Sequence, residues 1–354
     1  MYPISTSTHT APSRFTKLHT AALGTALLAL PILQAAAADV TLPPVSIGAG
    51  MRTSYTHDAP NSGTDTDSIS LDSARLYING SVTDKIKFTF NTEYNGSTDS
   101  LLLMDAIAQF NFSDQFHVWA GRFLPPVDRA NLYGPYYAND WNPYADNVAD
   151  FYPSVAIGRD NGVAYWGQFG MLKASVGVFD GKSLNDGKAG LLTAARLMMD
   201  FWDVEGGYYL NSTYYGEKDL LAVGVAAQDQ GGVKSISGDF LMEKKIGGGG
   251  AVTVEAEYQK DDGLIAPSKG YYVLGAYTFP EIVGVGKFQP LIKFSKKTFE
   301  HGLSPDTDQK TTEVNLNYII KSFNARISLF YLSTKIDPIN TTDNKFGLGL
   351  QIQM

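Results

Sequence analysis

Between Asp84 and Tyr94 the chain reads Asp-Lys-Ile-Lys-Phe-Thr-Phe-Asn-Thr-Glu-Tyr. Lys85, Lys87 and Glu93 alternate with Ile86, Phe88 and Phe90, and a period of two belongs to a strand with one charged and one apolar face. Ammonium and carboxylate groups along such a face hold water and concentrate counter-ions beside them. Two settings suit the pattern. A soluble sheet turns the apolar face to a core. A membrane barrel turns it to lipid and turns the charged face to enclosed water. Arg52, Arg75, Lys293 and Arg326 occupy equivalent places in other alternating stretches, so they join Lys85 and Lys87 as candidate water-lining cations. Lys173, Arg196, Lys287, Lys297 and Lys345 follow the same alternation, and Arg122 joins them if Trp119 and Phe123 face outward. Opposed to them on the same face stand Glu93, Asp105, Asp200, Glu255, Glu257 and Glu313.

Covalent chemistry has little to work with. Past residue 38 the histidines are His57, His117 and His301, far apart in sequence, and His117 shares a face with Trp119 that is expected to point outward. No G-x-S-x-G, H-E-x-x-H or complete phosphate-loop motif occurs. Neither a catalytic centre, a cofactor nor a metal is expected. Acidic residues outnumber basic ones, 36 to 28, which disfavours nucleic acid as a partner.

These side chains need strands to position them. Alternation recurs along almost the whole chain after residue 44, as in Val252, Val254, Ala256 and Tyr258 against Thr253, Glu255, Glu257 and Gln259. The last stretch sets Phe346, Leu348, Leu350 and Ile352 against Lys345, Gly347, Gly349, Gln351 and Gln353. Tight connections near 82–84, 113–114, 169–170 and 321–322 alternate with longer polar ones at 58–67, 180–190, 261–269, 299–310 and 336–344. Short turns at one rim and longer loops at the other predict an all-β transmembrane antiparallel barrel. Seventeen segments can be drawn, but such barrels have an even number, so about sixteen are expected, with the turns at 203, 215–218 and 229–232 in conflict. Trp119, Trp166, Trp202, Tyr94, Tyr258 and Tyr318 are expected in interface girdles.

The start of the chain reads as an export signal: Arg14 and Lys17, an apolar run from Ala21 to Leu33, then small residues to Ala38. Cleavage after Ala38 is expected, leaving residues 39–354 as the barrel and a charge two units more negative than the −8 of the whole chain. Cysteine is absent, so no disulfide contributes.

One connection is far longer than the rest. Residues 124–156 are rich in Tyr, Trp, Pro and Asn and carry Asp128, Arg129, Asp140, Trp141, Asp146 and Asp150. A loop this long is usually functional, and in a wide barrel it is expected to fold inward as a constriction. The alternative is a surface loop at a subunit interface. Arg122 and Arg159 flank the loop and are candidates for the narrowest point, unless ion pairs with Asp128, Asp146 or Asp150 consume them. The loop aromatics Tyr133, Tyr136, Tyr137, Trp141 and Tyr144 serve either to pack against the wall or to stack a passing solute. The strand tally favours anions and the loop tally favours cations; the charges nearest the narrowest point decide.

The stretch WAGRFLPPVDRANLYGP (119–135), followed by AIGRDNGVAYWG (156–167), resembles the phosphate-selective porin O and P family, whose relatives include short-chain amide porins. SARLYINGSVTDKIKFTFNTEY (73–94), YYGEKDLLAVGVAAQ (214–228) and EKKIGGGGAVTVEAEYQK (243–260) support the likeness. The resemblance implies a trimeric, sixteen-stranded porin in the outer membrane of a Gram-negative bacterium. The family's phosphate-selective members carry an arginine ladder and a lysine cluster, whereas residues 124–156 contain no lysine. The expectation is passive diffusion of small hydrophilic solutes and ions, with a modest anion preference and phosphate as a candidate anion. Outer-membrane lipid, the solutes and two further copies of the chain are the expected partners. The competing expectation is a structural or adhesive barrel that transports little.

Overall fold

The computed structural model describes residues 44–148, 158–181, 190–263, 267–302 and 304–354. The expected export signal, residues 1–38, lies outside them, as do Asp150 and the end of the long loop.

Alternating polar and apolar residues form sixteen strands among the described residues. The first five are β1 (Val45–Ala59), β2 (Thr66–Ser81), β3 (Ile86–Asn95), β4 (Ser100–Ser113) and β5 (Phe116–Phe123). After the long loop, with its short helix α1 (Arg129–Tyr133), come β6 (Asp160–Phe169), β7 (Leu172–Phe179) and β8 (Leu192–Asp200). The remainder are β9 (Leu220–Gln230), β10 (Val233–Lys245), β11 (Ala251–Asp261), β12 (Ser268–Thr278), β13 (Lys287–Phe299), β14 (Thr307–Lys321), β15 (Ala325–Asp337) and β16 (Thr341–Gln353). Each pairs antiparallel with its sequence neighbours, and β1 pairs with β16 from Gly50 opposite Gln353 to Ala59 opposite Asn344. Closure leaves no strand edge unpaired, which a hydrocarbon surround requires.

The two faces differ as the alternation dictates. Leu197 and Met199 on β8, Val223 and Val225 on β9, Ile292 and Phe294 on β13, and Leu348 and Ile352 on β16 are exposed on the outer face. Arg196, Gln228, Glu255, Lys293, Asn317, Arg326 and Gln351 point inward and are buried. The strand quoted first divides the same way. Phe90 is outward and exposed, while Lys87 shares the inward side with Glu93. Lys85 precedes β3 and sits in the exposed β2–β3 turn, so it is not part of a strand face.

Three sequence expectations change. The seventeenth segment does not exist: residues 201–219 form one long connection between β8 and β9, and the apparent turns at 203 and 215–218 lie within it. This connection leaves the rim where the chain ends meet, whose other connections are at most eight residues long. The opposite rim in turn carries a two-residue turn, 231–232, between β9 and β10. The second change is on β5. Trp119 and Phe123 are buried inside the barrel, with Trp119 packed on Tyr208 at 4.8 Å between ring centroids. Arg122, one residue away, therefore points outward, where its Nε donates to the Leu103 carbonyl at 3.0 Å. His117 also faces inward, stacked on Trp166 at 3.8 Å. Third, Thr92 pairs with Leu103 and Asn91 with Asp105, a bulge that turns Met104 inward although its apolar character matched the outer face.

The inward face of β4–β9 is thus partly apolar. Ile107, Trp119, Trp166, Phe179, Leu192, Met198 and Leu220 form one buried cluster with Leu124, Val127 and Leu132 of the long loop and Tyr208 and Leu210 of the β8–β9 connection. Trp119 and Trp166 belong to this interior and not to a girdle, whereas Trp202 and Tyr258 are exposed.

Val314, outward and 45% exposed on β14, tests the assignment of faces. Val314→Arg is expected to destabilise the inserted barrel by about 2–4 kcal/mol if the site lies at mid-depth. Denaturant titration in lipid vesicles reads this as a lower midpoint. An unchanged midpoint would mean that this face does not meet lipid.

Candidate permeation pathway

At Phe123 the chain leaves β5 and turns into the lumen. Asp128 starts α1, accepting from the Asn131 amide at 2.9 Å, and Gly134, at φ 64°, ends it. Residues 136–147 then follow the inner wall of β13–β16, β1 and β2. Their carbonyls have no strand partner, and wall side chains supply the donors. Arg326 donates to the carbonyls of Ala138 at 2.7 Å and Asn139 at 3.1 Å. Arg52 donates to Trp141 O at 2.6 Å and lies 4.0 Å over the Trp141 ring. Gln351 donates to Tyr136 O at 2.9 Å, Asn317 to Asn139 O at 3.0 Å and Gln309 to Ala145 O at 2.9 Å. Glu313 accepts from the amides of Trp141 and Asn142 at 3.1 and 3.2 Å. Close approach needs absent side chains: a Cβ on Gly349 would strike the Trp141 ring, and one on Gly50 would lie 2.8 Å from Tyr136.

Among the described residues, the loop's charges take part in this seating. Lys293 Nζ pairs with Asp140 at 3.1 Å and Asp146 at 2.9 Å. Asp128 caps α1. Arg129, fully buried, reaches Glu205 of the β8–β9 connection at 2.7 Å and lies 3.6 Å from Asp239. Asp239 is held in turn by Arg196 at 2.5 Å, and Arg196 also donates to Val127 O at 3.0 Å. Tyr136 and Trp141 are buried in packing, Trp141 stacked on Phe330 at 6.0 Å. Of the five loop aromatics, Tyr137 is the one that stays exposed.

The second inward segment enters from the other rim. Glu205, Tyr208, Leu210, Ser212 and Thr213 of the β8–β9 connection are buried. Tyr208 Oη donates to Leu124 O at 2.7 Å, the Ser212 amide to Tyr137 O at 3.1 Å, and Lys173 to Glu205 O at 2.5 Å. Sequence alone did not assign this segment to the lumen. The Gly206-Gly207 pair, with Gly207 at φ 86°, was the available sign that a strand could not run through it.

Together the two segments occupy much of the β6–β16 side and leave open space beside β1–β5. Two cavities lie there. One of about 510 Å³ opens towards the rim of the chain ends and is lined by Asn79, Asn91, Asp105, Gln109, Tyr209 and others. The other, of about 360 Å³, is lined by Arg52, Asp72, Glu93, Asn95, Trp141 and Tyr144 among others. Arg75 and Arg159 are the residues that border both. Arg75 pairs with Glu93 at 3.0 Å, and Arg159 with Asp105 at 3.0 Å. Their side chains keep 9% and 11% exposure, against none for Arg129. Lys87 lines a further recess at the mouth with Asn79, Thr89 and Gln109.

The sequence candidates therefore separate into groups. Arg75 and Arg159 meet at the junction, and Lys87 stands at its mouth. Arg52, Lys293 and Arg326 seat the loop, and Arg52 also borders the second cavity. Lys85 lies in a turn and Arg122 faces outward. Arg159 pairs with wall residue Asp105, which the sequence placed inside without linking the two. Among the described residues no cluster of side chains suited to a metal ion occurs.

A closed, sixteen-stranded barrel with an inward loop and a polar path beside it is a porin architecture. Residues 45–228 match the family described as phosphate-selective porin O and P, and the chain belongs to that family, in the outer membrane of Gram-negative bacteria. No curated protein matches the chain. Solved structures of porins share the fold at low identity. Salmonella typhi OmpF, solved with daunomycin, is 11% identical with a TM-score of 0.62, covering 88% of this chain and 98% of its own. The anion-selective porin of Comamonas acidovorans is 12% identical with a TM-score of 0.56, covering 88% and 100%. The trimer form of Vibrio cholerae OmpT is 12% identical with a TM-score of 0.54, covering 88% and 99%.

Glu205 makes the seating sensitive to acid. Burial pushes its pKa up, but Arg129 more than offsets this, with Lys173 and the Tyr214 hydroxyl adding to the effect, and the carboxyl is held below the ordinary glutamate range. A lowered pKa stabilises the folded arrangement above the ordinary range, and the contribution is lost as pH falls through the lowered value. Single-channel recordings should therefore stay unchanged from neutral pH down to the ordinary glutamate range and grow noisier only below it, and Glu205→Gln should be noisier already at neutral pH. Equal noise in both proteins across the range would remove Glu205 from the seating.

Proposed function

We propose that this protein is a passive-diffusion porin for small hydrophilic solutes and ions, with a modest preference for anions. The observation that carries the reading is the junction of the two cavities. The two residues bordering both are guanidinium-bearing, Arg75 and Arg159, while Glu93 borders one cavity and Asp105 the other. An anion crossing the step meets both cations, and each carboxylate lies to one side. The seating of Asp140 and Asp146 on Lys293 offsets two of the loop carboxylates that would have favoured cations. The family's phosphate-selective name and the anion-selective Comamonas neighbour point the same way. Phosphate is one solute of the right charge for the step.

In this reading residues 1–38 are removed on export, residues 124–156 form the constriction loop, and three copies assemble as in the trimer form of OmpT. Lys87 and Arg52 extend the cationic lining on either side of the junction. The protein acts as a channel and performs no bond chemistry.

The test is zero-current potential in a KCl gradient across a planar bilayer. The unaltered protein should prefer chloride. A charge a few ångströms from the ion's path is worth about 1 kcal/mol even in water, so Arg75→Gln and Arg159→Gln should each lower the chloride-to-potassium ratio roughly fivefold. Arg75→Gln also frees the Glu93 charge, which acts in the same direction. Variants that insert and conduct with an unchanged ratio would overturn the assignment of the junction.

A further inference from the structure

The long loop is the expected narrowing element, yet its described residues do not complete the junction. The side of the path facing Asp105 and Arg159 comes from the β8–β9 connection. Tyr209 lines the larger cavity, and its hydroxyl donates to Asp105 Oδ1 at 3.3 Å. The same oxygen accepts from Arg159 Nε at 3.0 Å. Leu210 and Asn211 continue the lining next to Tyr209.

This tip is firmly supported. Tyr208 packs edge-on against Tyr209 at 5.3 Å, and Trp119 lies 6.0 Å from Tyr209 on the wall side. Behind them Glu205 is gripped by Arg129 and Lys173, and Glu255 and Glu243 accept from Ser212 and Thr213. The Leu210 amide donates to Leu132 O at 3.4 Å. A phenol ring held from three sides beside a water path limits what passes it.

We propose that the β8–β9 connection is a second constriction element, entering from the rim of the chain ends, and that Tyr209 sets the size limit for hydrophilic solutes at the Arg75–Arg159 step. The inference rests on the channel reading. It assigns size selection to a segment different from the long loop and leaves the charge preference with the arginines. A porin with this arrangement has two controls on one path, linked through Asp105: bore from the tyrosine side, charge from the wall.

The absence of cysteine allows a direct test. Tyr209→Cys is reconstituted, its conductance recorded, and a bulky, uncharged methanethiosulfonate reagent added. Before the reagent, conductance should exceed that of the unaltered protein, and liposome swelling should show entry of larger neutral sugars. The reagent should then reduce conductance to roughly half or less, since pore diameter governs flow. Reduction with dithiothreitol should restore it. The unaltered protein should not respond to the reagent. Tyr209→Phe, which keeps the ring and loses the hydroxyl, should keep the sugar limit, and it guards against a Tyr209→Cys protein that fails to fold. Channels of Tyr209→Cys with the unaltered conductance and sugar limit and no response to the reagent would overturn the proposal, as would a changed sugar limit in Tyr209→Phe. Failure of the channel reading is a separate outcome: the unaltered protein would then insert and never conduct.

Discussion

Main chain that crosses the inside of a barrel has carbonyls and amides with no strand to pair with, in a space where few waters can reach them. In this protein the wall supplies the partners. Arg326, Arg52, Gln351, Asn317 and Gln309 donate to carbonyls of residues 136–145, and Arg196 does the same at Val127. Hydrogen bonds from charged donors contribute about 1.5–3 kcal/mol each, and an unsatisfied buried group costs a similar amount. The position of the loop, the shape of the remaining water space and the charge along it all depend on these contacts.

Electrostatics follows from the seating. Counting formal charges on the inward face overstates the field that a passing ion meets, because most of those charges face protein groups. Lys293 faces two aspartates, Arg129 faces Glu205, and Arg196 faces Asp239. Losing one partner of such a buried pair typically costs about 3–5 kcal/mol, which favours keeping the pairs closed. What reaches the water is a short stretch along β1–β5, where Arg75 and Arg159 retain exposure. The barrel makes a wide cylinder, and the inward segments turn it into a path along one wall.

Much of this was legible from residue order, and the misreadings have physical causes. Period two identified the strands, and closure of β1 on β16 followed from the cost of an open edge in lipid. The long, rigid, aromatic composition of residues 124–156 marked it as more than a connection. The β8–β9 connection was drawn as an additional strand because an extended segment wedged between two surfaces buries alternate residues, Tyr208, Leu210 and Ser212, with the same period as a strand. On β5 the alternation was right and its direction was reversed. Tryptophan suits a lipid interface, but Trp119 here forms the floor on which Tyr208 packs, so Arg122 points outward.

The sequence by itself determined the class of structure: alternation sets strand faces, the even count and closure follow from backbone hydrogen bonding in lipid, and composition singles out the long loop. It also determined which residue types stand on the inward face of most strands. Only the tertiary structure decided which of those charges reach water. Arg326 and Arg75 read alike in sequence, each a cation on the inward face of a strand, and they differ because the loop takes Arg326 into hydrogen bonds with its carbonyls, whereas Arg75 meets the Tyr136 ring and still borders a cavity. That choice depends on contacts between residues more than a hundred positions apart, such as Arg326 with Ala138, and local pattern carries no information about them.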